Sequence, residues 1–407
     1  MTVDGLNADP HATNAQLRAE GPVVKVVAPD GLEHWLITRY DVARAALADD
    51  RLAKDPRHGW DALAAAGRVS GRPEDMSRHL LTSDPPDHTR LRSLVSSTFT
   101  PRKVAGMKPK VQQVVTGILD GIAENGSADA IAEIALPVSF SVIEDLLGIR
   151  VDDRAAFRTW TTAALTQVAD AERTMSREEG SERLREYVGR LVDARYDDAA
   201  ADAPGAAPGD IVGGLITAQT DEGTLSRDEV VEMTRFLLFS GHETTTNLIG
   251  AALAALLTHP EQRALLRRRP DLMRSAVEEV LRFEGPTAQT SPRFAREDVE
   301  LGGATIPAGS IVVIALAAAN RDPDAFPDPD RFDLTRSWTP HLAFGHGAHF
   351  CIGAPLARME ADIALRSLFD RFPDIALAAP DAPLEWRPTH VFRGLERLPV
   401  TWTPGAE

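Results

Sequence analysis

The sequence predicts a mainly α protein with small β-sheets, an α+β class, and three observations lead to that prediction. Helix-type spacing of apolar residues runs from "DVARAALADD" at 41–50 to about residue 284. Short runs with β character stand toward both ends of the chain. The tetrad "SRDE" at 226–229 is a capping box, and it opens a long helix that we expect to reach about Leu257.

The first two thirds of the chain begin with strands and continue with helices. Two strand-like runs, "VVKVVA" at 23–28 and "HWLITR" at 34–39, are joined by a "PDG" turn. "DPPD" at 84–87 opens one helix, and "TPR" at 100–102 opens the next. "ADAPGAAPGD" at 201–210 is typical of a flexible linker.

The pattern changes after Pro286. Short β-like runs, "VELGGATI" and "SIVVIAL", alternate with loops that are rich in Pro and Asp. One more helix follows Cys351, and "VFRGLERLPVTW" ends the pattern as short strands. Helices therefore dominate, and small sheets accompany them.

The composition of the chain argues against several classes of function. The 407 residues carry a net charge of −16, which argues against nucleic-acid binding because phosphates need a basic face. One cysteine cannot form an internal disulfide, so nothing points to an oxidising compartment. The apolar stretches at 248–257 and 311–319 are too short to span a bilayer, and the N-terminus lacks a signal-peptide pattern. We expect a monomeric cytoplasmic protein with no nucleic-acid or membrane partner.

The single cysteine, Cys351, lies in "FGHGAHFCIG" at 344–353, and four interpretations are open. It could be a buried structural cysteine, a zinc ligand with His346 and His349, or a nucleophile with a histidine base. The fourth interpretation is a thiolate ligand to haem iron. The glycines let the backbone approach a flat macrocycle, and a helix with Pro355 in its first turn would stabilise the sulfur anion.

This ten-residue segment resembles the F-G-x-G-x-H-x-C-x-G signature of the cytochrome P-450 monooxygenases. The matching residues are Phe344, Gly345, Gly347, His349, Cys351 and Gly353. "DPPDHTRLR", "NRDPDAFPDPDRFD" and "VFRGLERLPV" resemble the soluble actinomycete branch that oxidises macrolides, other polyketides and steroid-like molecules in secondary metabolism. The resemblance implies a cytochrome P-450 fold with haem b (iron protoporphyrin IX) buried between a long central helix and the cysteine loop. It also implies one haem-thiolate monooxygenase domain over 1–407, with Cys351 as the axial ligand and with Phe344, Gly345 and Gly353 at the haem.

The long helix carries "FSGHETTT" at 239–246. Gly241 in mid-helix costs about 1 kcal/mol relative to Ala, which indicates that something presses against the helix there. The neighbouring acid and alcohol, Glu243 and Thr244, could form a solvent-facing polar patch or a buried pair that needs partners. The resemblance to G-x-[DE]-T implies that they relay protons on the distal side of the haem.

Two further motifs gain their meaning from the resemblance. "EEVLR" at 278–282 is similar to E-x-x-R, which implies that Glu279, Arg282 and Arg331 of "PDRF" form a buried structural network behind the haem. The resemblance also implies four residues that hold the haem propionates through charge-assisted hydrogen bonds. These are His88, Arg92, Arg293 and His349.

The resemblance places three walls around a substrate pocket. One face of the long helix supplies Phe236, Phe239 and Ser240, the last where the branch usually has alanine. The second wall is Thr287, Ala288 and Gln289, and the third is Val391 and Phe392. The segment from about His58 to His79, loose and rich in Ala, Gly and Arg, is predicted as a mobile lid. Mostly apolar walls with a few polar groups suit a bulky hydrophobic small molecule.

The expected function is insertion of one oxygen atom from O2, by hydroxylation or epoxidation, into a bulky hydrophobic natural product such as a macrolide or polyketide. No G-x-G-x-x-G fingerprint of a reductase occurs, so NAD(P)H electrons should arrive through a separate ferredoxin reductase and ferredoxin. Arg102, Lys103 and Arg358 are candidate cations for docking the electron donor. The alternatives are a hydrogen-peroxide-dependent peroxygenase and a non-catalytic haem-binding sensor.

Overall fold

The chain divides into two compact units, each assembled from separate segments. The first unit comprises Met1–Ser70, Met107–Ser139 and Glu243–Glu407, and the second comprises Gly71–Gly106 and Phe140–His242. The computed structural model describes residues 10–28, 31–69, 71–73, 78–96, 98–165, 175–200, 210–220, 225–337, 339–387, 389 and 391–405.

Helices make up most of the described chain. They are α1 (Pro10–Glu20), α2 (Tyr40–Ala48), α3 (Trp60–Ala65), α4 (Asp87–Ser96), α5 (Pro101–Ile122), α6 (Leu136–Leu147), α7 (Arg154–Leu165), α8 (Arg177–Ala200), α9 (Ile211–Thr220), α10 (Arg227–Thr258), α11 (Pro260–Arg268), α12 (Met273–Glu284), α13 (Leu316–Ala319) and α14 (Ala354–Arg371). A π-helical turn, Ala130–Ala135, precedes α6.

The strands belong to the first unit. They are β1 (Val23–Val27), β2 (Glu33–Ile37), β3 (Leu52–Ala53), β4 (Ser127–Asp129), β5 (Arg293–Ala295), β6 (Val299–Leu301), β7 (Ala304–Ile306), β8 (Ile311–Ile314), β9 (Ala376–Leu377) and β10 (Pro399–Thr401). They form a five-stranded sheet in the order β1-β2-β8-β5-β3, a three-stranded sheet β4-β10-β9 and a two-stranded sheet β6-β7. The predicted mainly α class with small sheets is confirmed.

The five-stranded sheet has apolar side chains on both faces because its central strand is apolar at every position. On β8, Ile311 and Val313 join a core cluster with Val24 and Leu36. The alternate residues, Val312 and Ile314, join a second cluster on the opposite face. The continuous run "IVVI" is therefore a fully buried strand, which pairs in parallel with β2 and antiparallel with β5.

The core of the second unit is aromatic. Phe140 on α6 and Phe157 on α7 are fully buried and meet edge to face, with ring centroids 5.6 Å apart. Tyr187 on α8 packs against Phe157 at 6.3 Å. His242 on α10 stacks on Phe140 at 4.3 Å, so this aromatic group holds the N-terminal half of α10.

The start and the central glycine of α10 behave as the sequence predicts. Ser226 N donates to Glu229 Oε2 at 2.8 Å, and Glu229 N donates to Ser226 Oγ at 3.1 Å, which confirms the capping box. The helix ends at Thr258, one residue beyond the predicted Leu257. A Cβ on Gly241 would lie 2.5 Å from Ile143 Cδ1, so a side chain of α6 does press against the helix.

Part of the predicted lid belongs to the core of the first unit. Leu63 on α3 is buried in the cluster that covers the sheet, and a Cβ on Gly59 would lie 2.2 Å from Phe294 Cδ1. Residues 58–69 are therefore held by apolar packing, which the Ala- and Gly-rich composition did not reveal. Positions 70 and 74–77 of the lid, 29 and 30 of the predicted "PDG" turn, and 201–209 of the predicted linker lie outside the described residues.

Within the described residues, the helices are all too short or too polar to pass through a bilayer.

Candidate active site

The cysteine loop is a compact turn that presents its thiol side chain outward. Gly345 and Gly347 have φ values of 72° and 76°, in the left-handed region that favours glycine. A side chain at Gly347 would also collide with backbone, because its Cβ would lie 2.8 Å from Leu47 O. Cys351 N donates to Phe344 O at 2.9 Å, and the Cys351 side chain is exposed. The interpretation of Cys351 as a packed core residue is therefore wrong.

The donor set fits a haem thiolate. Cys351 stands three residues before α14, whose N-terminus carries a partial positive charge that favours a sulfur anion. Gly353 immediately precedes the helix, and Pro355 lies in its first turn. Phe350 beside the cysteine is 40% exposed, so a large apolar surface and a soft anionic donor point out of the same loop. No three His, Cys, Asp or Glu side chains of the described residues gather as a metal-binding group.

A buried carboxylate on α12 ties both ends of this loop together. Glu278 accepts hydrogen bonds from His341 Nε2 at 3.0 Å and from Arg358 Nε and Nη2 at 2.6 and 2.9 Å. Burial raises the pKa of Glu278, but the hydrogen bonds from His341 and Arg358 outweigh it and bring the pKa to about 2. His341 precedes the loop and Arg358 follows it. Glu278 therefore anchors the cysteine loop to α12.

This network corrects the prediction that Arg358 is a docking cation. Its guanidinium is bidentate to Glu278 and lies 4.5 Å from the ring centroid of Phe344. A half-buried cation engaged in this way supports the loop. No sequence pattern marks Glu278 and His341, since an acid beside Glu279 and a histidine ten residues before the cysteine are not parts of a recognisable motif.

The network around Glu279 has a different third member from the predicted one. Arg282 donates from Nε and Nη2 to both oxygens of Glu279 at 2.7 Å. The second arginine is Arg336, whose Nε donates to Glu279 Oε1 at 3.1 Å. Arg331 is not part of the side-chain network: it is 63% exposed and pairs with Asp333 at 3.0 Å.

The orientation of the backbone explains why the side chain of Arg331 is not in this network. The turn points the carbonyl of Arg331 inward, where it accepts hydrogen bonds from Arg282 Nη2 at 3.2 Å and Arg336 Nη2 at 2.6 Å. With its carbonyl inside, the side chain of Arg331 faces solvent. No motif marked Arg336, which the sequence analysis missed.

Arg293 on β5 is buried and faces the end of α2. It donates from Nη1 to Leu52 O and from Nη2 to Leu47 O, both at 3.1 Å. Leu47 O is also the atom that approaches Gly347, so Arg293 and the cysteine loop meet at the same residue. His349 lies on the adjacent 3₁₀ turn, Gly347–His349, and is half-buried. Their predicted role at the propionates stays a prediction.

His88 and Arg92 lie in the second unit, one turn apart on α4. His88 is buried, and burial together with the charge of Arg92 lowers the pKa of its imidazole, while Asp84 opposes the shift. Their predicted role at the propionates is likewise a prediction.

The acid of α10 is buried and has polar partners. Glu243 is 4% exposed, so the interpretation as a solvent-facing patch is wrong for it. Its Oε1 accepts a hydrogen bond from Asn247 Nδ2 at 3.1 Å and another from Arg387 Nη2. Thr244 is half-buried. The sequence analysis missed both partners of Glu243. Asn247 could have been found at the i, i+4 spacing, whereas Arg387 had no signal.

A stripe of side chains in the middle of α10 is partly exposed. Phe236, Phe239, Ser240 and Thr244 are half-buried and recur at helical spacing. Within the second unit, Phe236 stacks on His79 with ring centroids 4.7 Å apart. Ser240 Oγ donates to the carbonyl of Phe236 one turn earlier. The residues predicted to face substrate are thus among the less covered ones of this helix segment, together with Arg235 and Gly241, whereas Glu243 is buried.

The structure joins the other two predicted walls into one. Ala288 N donates to Val391 O at 2.8 Å, and Thr287 forms an antiparallel bridge with Phe392. Gln289 N also approaches Val391 O, at 3.4 Å. These residues are half-buried. Segments about a hundred positions apart in the sequence therefore form a single surface of the first unit.

Comparison with known proteins agrees with this geometry. A family model described as Cytochrome P450 matches residues 67–373. The chain is 44% identical over 405 residues to the cytochrome P450 monooxygenase PikC of Streptomyces venezuelae, with 98% of this chain and 92% of the relative covered. It is 41% identical over 404 residues to 6-deoxyerythronolide B hydroxylase of Saccharopolyspora erythraea, with 98% and 97% covered.

A solved structure gives the same result for the fold. The tirandamycin C-bound P450 monooxygenase TamI matches with a TM-score of 0.89 at 36% identity, covering 99% of this chain and 100% of that chain. The matches extend over the helices, the sheets and the cysteine loop alike, which confirms the predicted P-450 fold. The chain therefore belongs to the cytochrome P450 family, as a monooxygenase whose cofactor is haem b.

Proposed function

We propose that this monooxygenase hydroxylates or epoxidises a bulky hydrophobic natural product of the macrolide or polyketide class. The names of one relative and one structural neighbour support the class: 6-deoxyerythronolide B hydroxylase and the tirandamycin C-bound enzyme. The observation that carries the chemistry is the exposed Cys351 in a glycine-bent loop at the start of α14. When bound there, the haem supplies the activation of O2.

The residues predicted to face substrate favour a large apolar ligand with a few polar groups. Phe236, Phe239 and Phe392 supply aromatic surface, and Val391 and Ala288 supply aliphatic surface. The polar groups on the same surfaces are the side chains of Ser240, Thr287 and Gln289. A site of this composition holds its ligand by shape and orients it with a small number of hydrogen bonds.

The remaining site residues divide into binding and proton transfer. His88, Arg92, Arg293 and His349 would hold the haem propionates. Glu243 and Thr244 would pass protons toward the reacting oxygen as general acids. The buried pairing of Glu243 with Arg387 supports a role for this acid inside the protein rather than at its surface.

Electrons come from NAD(P)H through redox partners, and we propose a ferredoxin reductase and a ferredoxin. Arg102 and Lys103 are exposed at the start of α5 and are suited to an acidic donor. Arg358 is withdrawn from this set because Glu278 and Phe344 engage it. A single haem-thiolate domain over 1–407 and a monomeric cytoplasmic state remain predictions.

The carbon monoxide spectrum of the reduced protein tests the thiolate. Purified, haem-loaded protein should show the absorption band that gives the family its name, and Cys351→Ser should lose that band while the protein stays folded. Titration with macrolactones such as 6-deoxyerythronolide B should shift the Soret band. A colourless protein, or a Cys351→Ser variant that keeps the band, contradicts the proposal. Oxygen uptake that depends on donor proteins separates the monooxygenase from a peroxide-driven enzyme and from a sensor.

A further inference from the structure

Arg387 connects the substrate wall to the acid of α10. It is buried with its carboxylate partner, the two side chains being 9% and 6% exposed. One nitrogen, Nη2, donates to Glu243 Oε1 and to Asn247 Oδ1, the second at 2.5 Å. Because a buried carboxylate is costly without a partner, this contact decides where Glu243 can lie.

The same arginine is built into the hairpin that carries the wall residues Val391 and Phe392. Arg387 N donates to Gly394 O at 2.9 Å, which closes the hairpin at its base. Thr389 Oγ1 donates to Phe392 O at 2.7 Å near its tip. The wall and the arginine are therefore parts of one small, hydrogen-bonded element.

Gly394 shows how closely this element fits against α10. A Cβ on Gly394 would lie 2.2 Å from Asn247 Oδ1 and 2.5 Å from Arg387 Nη2. The guanidinium and the Asn247 amide occupy the space of a side chain, so a larger residue at this position would displace the two hydrogen-bonded groups.

We propose that Arg387 is a positioning residue for proton delivery. By holding Glu243 Oε1 together with Asn247, it fixes the rotamer of Glu243 and thereby the point from which that carboxyl group passes on a proton. Because Arg387 and the wall share one hairpin, substrate packed against Val391 and Phe392 also steadies the acid. The inference rests on the proposed relay through Glu243 and Thr244, and adds the residue that aligns it.

The hairpin offers a matched control in Arg393. Its Nε donates to Glu284 Oε2 at 3.0 Å, and its guanidinium lies 3.5 Å from the ring centroid of Trp386. Arg393 is thus also an arginine paired with a buried acid on the same hairpin, but its partner lies on α12. Arg393→Gln should lower stability as Arg387→Gln does, without touching the acid of α10.

The experiment compares Arg387→Gln, Arg387→Lys, Arg393→Gln and Glu243→Gln in haem-loaded enzyme with donor proteins and 6-deoxyerythronolide B as the probe. Product formed per NADPH consumed should fall about tenfold in Arg387→Gln, because misplacing a general acid forfeits much of its effect. The Soret dissociation constant should change far less. Arg387→Lys should recover part of the ratio, and Arg393→Gln should keep it.

Equal ratios in Arg387→Gln and Arg393→Gln would overturn the inference and leave the monooxygenase intact. A normal ratio in Glu243→Gln would instead overturn the relay, and a missing carbon monoxide band would overturn the haem-thiolate function itself. If 6-deoxyerythronolide B gives no product, thermal unfolding of the variants tests the inference instead. Glu243→Gln combined with Arg387→Gln should then melt no lower than Arg387→Gln alone, and additive losses contradict the inference.

Discussion

Three carboxylates of α12 each hold arginines in a different part of the first unit. Glu278 binds Arg358 beside the cysteine loop, and Glu279 binds Arg282 and Arg336. The third, Glu284, pairs with three basic side chains. These are His11, Arg321 and Arg393. Burial raises the pKa of Glu284, but the hydrogen bond and charge of His11 and the charges of Arg393 and Arg321 bring it to about 2. Single side chains on one helix thus fix the loop, the turn before it and the hairpin.

The correction of Arg331 to Arg336 can be tested by stability. Arg336→Ala should lower the free energy of unfolding by about 2–4 kcal/mol, because it removes a partner from the buried Glu279. Arg331→Ala should change it by less than about 0.5 kcal/mol, since an exposed side chain is lost and the carbonyl stays. Urea denaturation of both variants measures the difference. A larger loss in Arg331→Ala would return that residue to the network.

Thr244→Ala should waste electrons while it leaves haem and substrate binding in place. The half-buried hydroxyl stands beside the buried Glu243, where it can pass on a proton. The ratio of product to NADPH should fall and released peroxide should rise. Thr234→Ala is the matched control, because the Thr234 hydroxyl donates to Val230 O within the same helix at 2.8 Å. An unchanged ratio in Thr244→Ala shows that the protons take another route.

Candidate residues can be found from the sequence where the chemistry is local. Cys351 and the Glu243–Thr244 pair lie inside short motifs, so the sequence alone marks them as candidates. Arg336 and Arg387 bind acids that are 57 and 144 positions away in the sequence. The residues next to each arginine do not distinguish it from an ordinary surface arginine. Only the folded chain brings such partners together.

At the scale of elements, two glycines of α10 each lie close to an isoleucine side chain, but they approach different parts of it. A Cβ on Gly241 would meet Ile143 at Cδ1, Cγ1 and Cβ, at 2.5, 2.6 and 3.2 Å. A Cβ on Gly250 would meet Ile131 Cδ1 at 2.4 Å, but the next atom only at 3.9 Å. The first contact involves the rigid base of a side chain, and the second involves its movable tip.

Gly241→Ala should therefore lower the free energy of unfolding by about 1–3 kcal/mol through overpacking. Both variants gain about 1 kcal/mol of helix propensity. Gly250→Ala should cost less, because the one methyl group that it meets can turn away. Thermal melts of the two variants measure the difference in stability, and the comparison is matched because both are Gly→Ala changes in the same helix. A more damaging Gly250→Ala would mean that Ile131 cannot move.

At the scale of the whole molecule, strand and cap signals predicted the first hairpin, the capping box and the end of α10, because each depends on neighbouring residues. The division into two units could not be predicted. It depends on contacts between segments such as Met1–Ser70 and Glu243–Glu407, which no local pattern encodes.

Acid should weaken the fold through the anchor of the cysteine loop. The pKa of Glu278 falls from 4.5 to about 2 on folding, so its stabilisation is complete above pH 4.5 and is lost as the pH falls toward 2. At pH 7 wild type should exceed Glu278→Gln by about 2 kcal/mol of unfolding free energy. The gap should close between pH 4.5 and 2. The exposed Glu396→Gln is the control, and a gap that stays constant down to pH 2 contradicts the role of Glu278.

Because β2 pairs in parallel with β8, the five-stranded sheet cannot be completed until late in synthesis of the chain. Trp35 aligns with Val312, so the N-terminal hairpin has no central strand to join until synthesis has passed that position. At ribosomal speeds of about 5–20 residues per second, the wait is on the order of tens of seconds. For that interval the apolar faces of β1 and β2 lack the partners that β8 supplies, so the nascent protein should depend on a chaperone more than a mature one does.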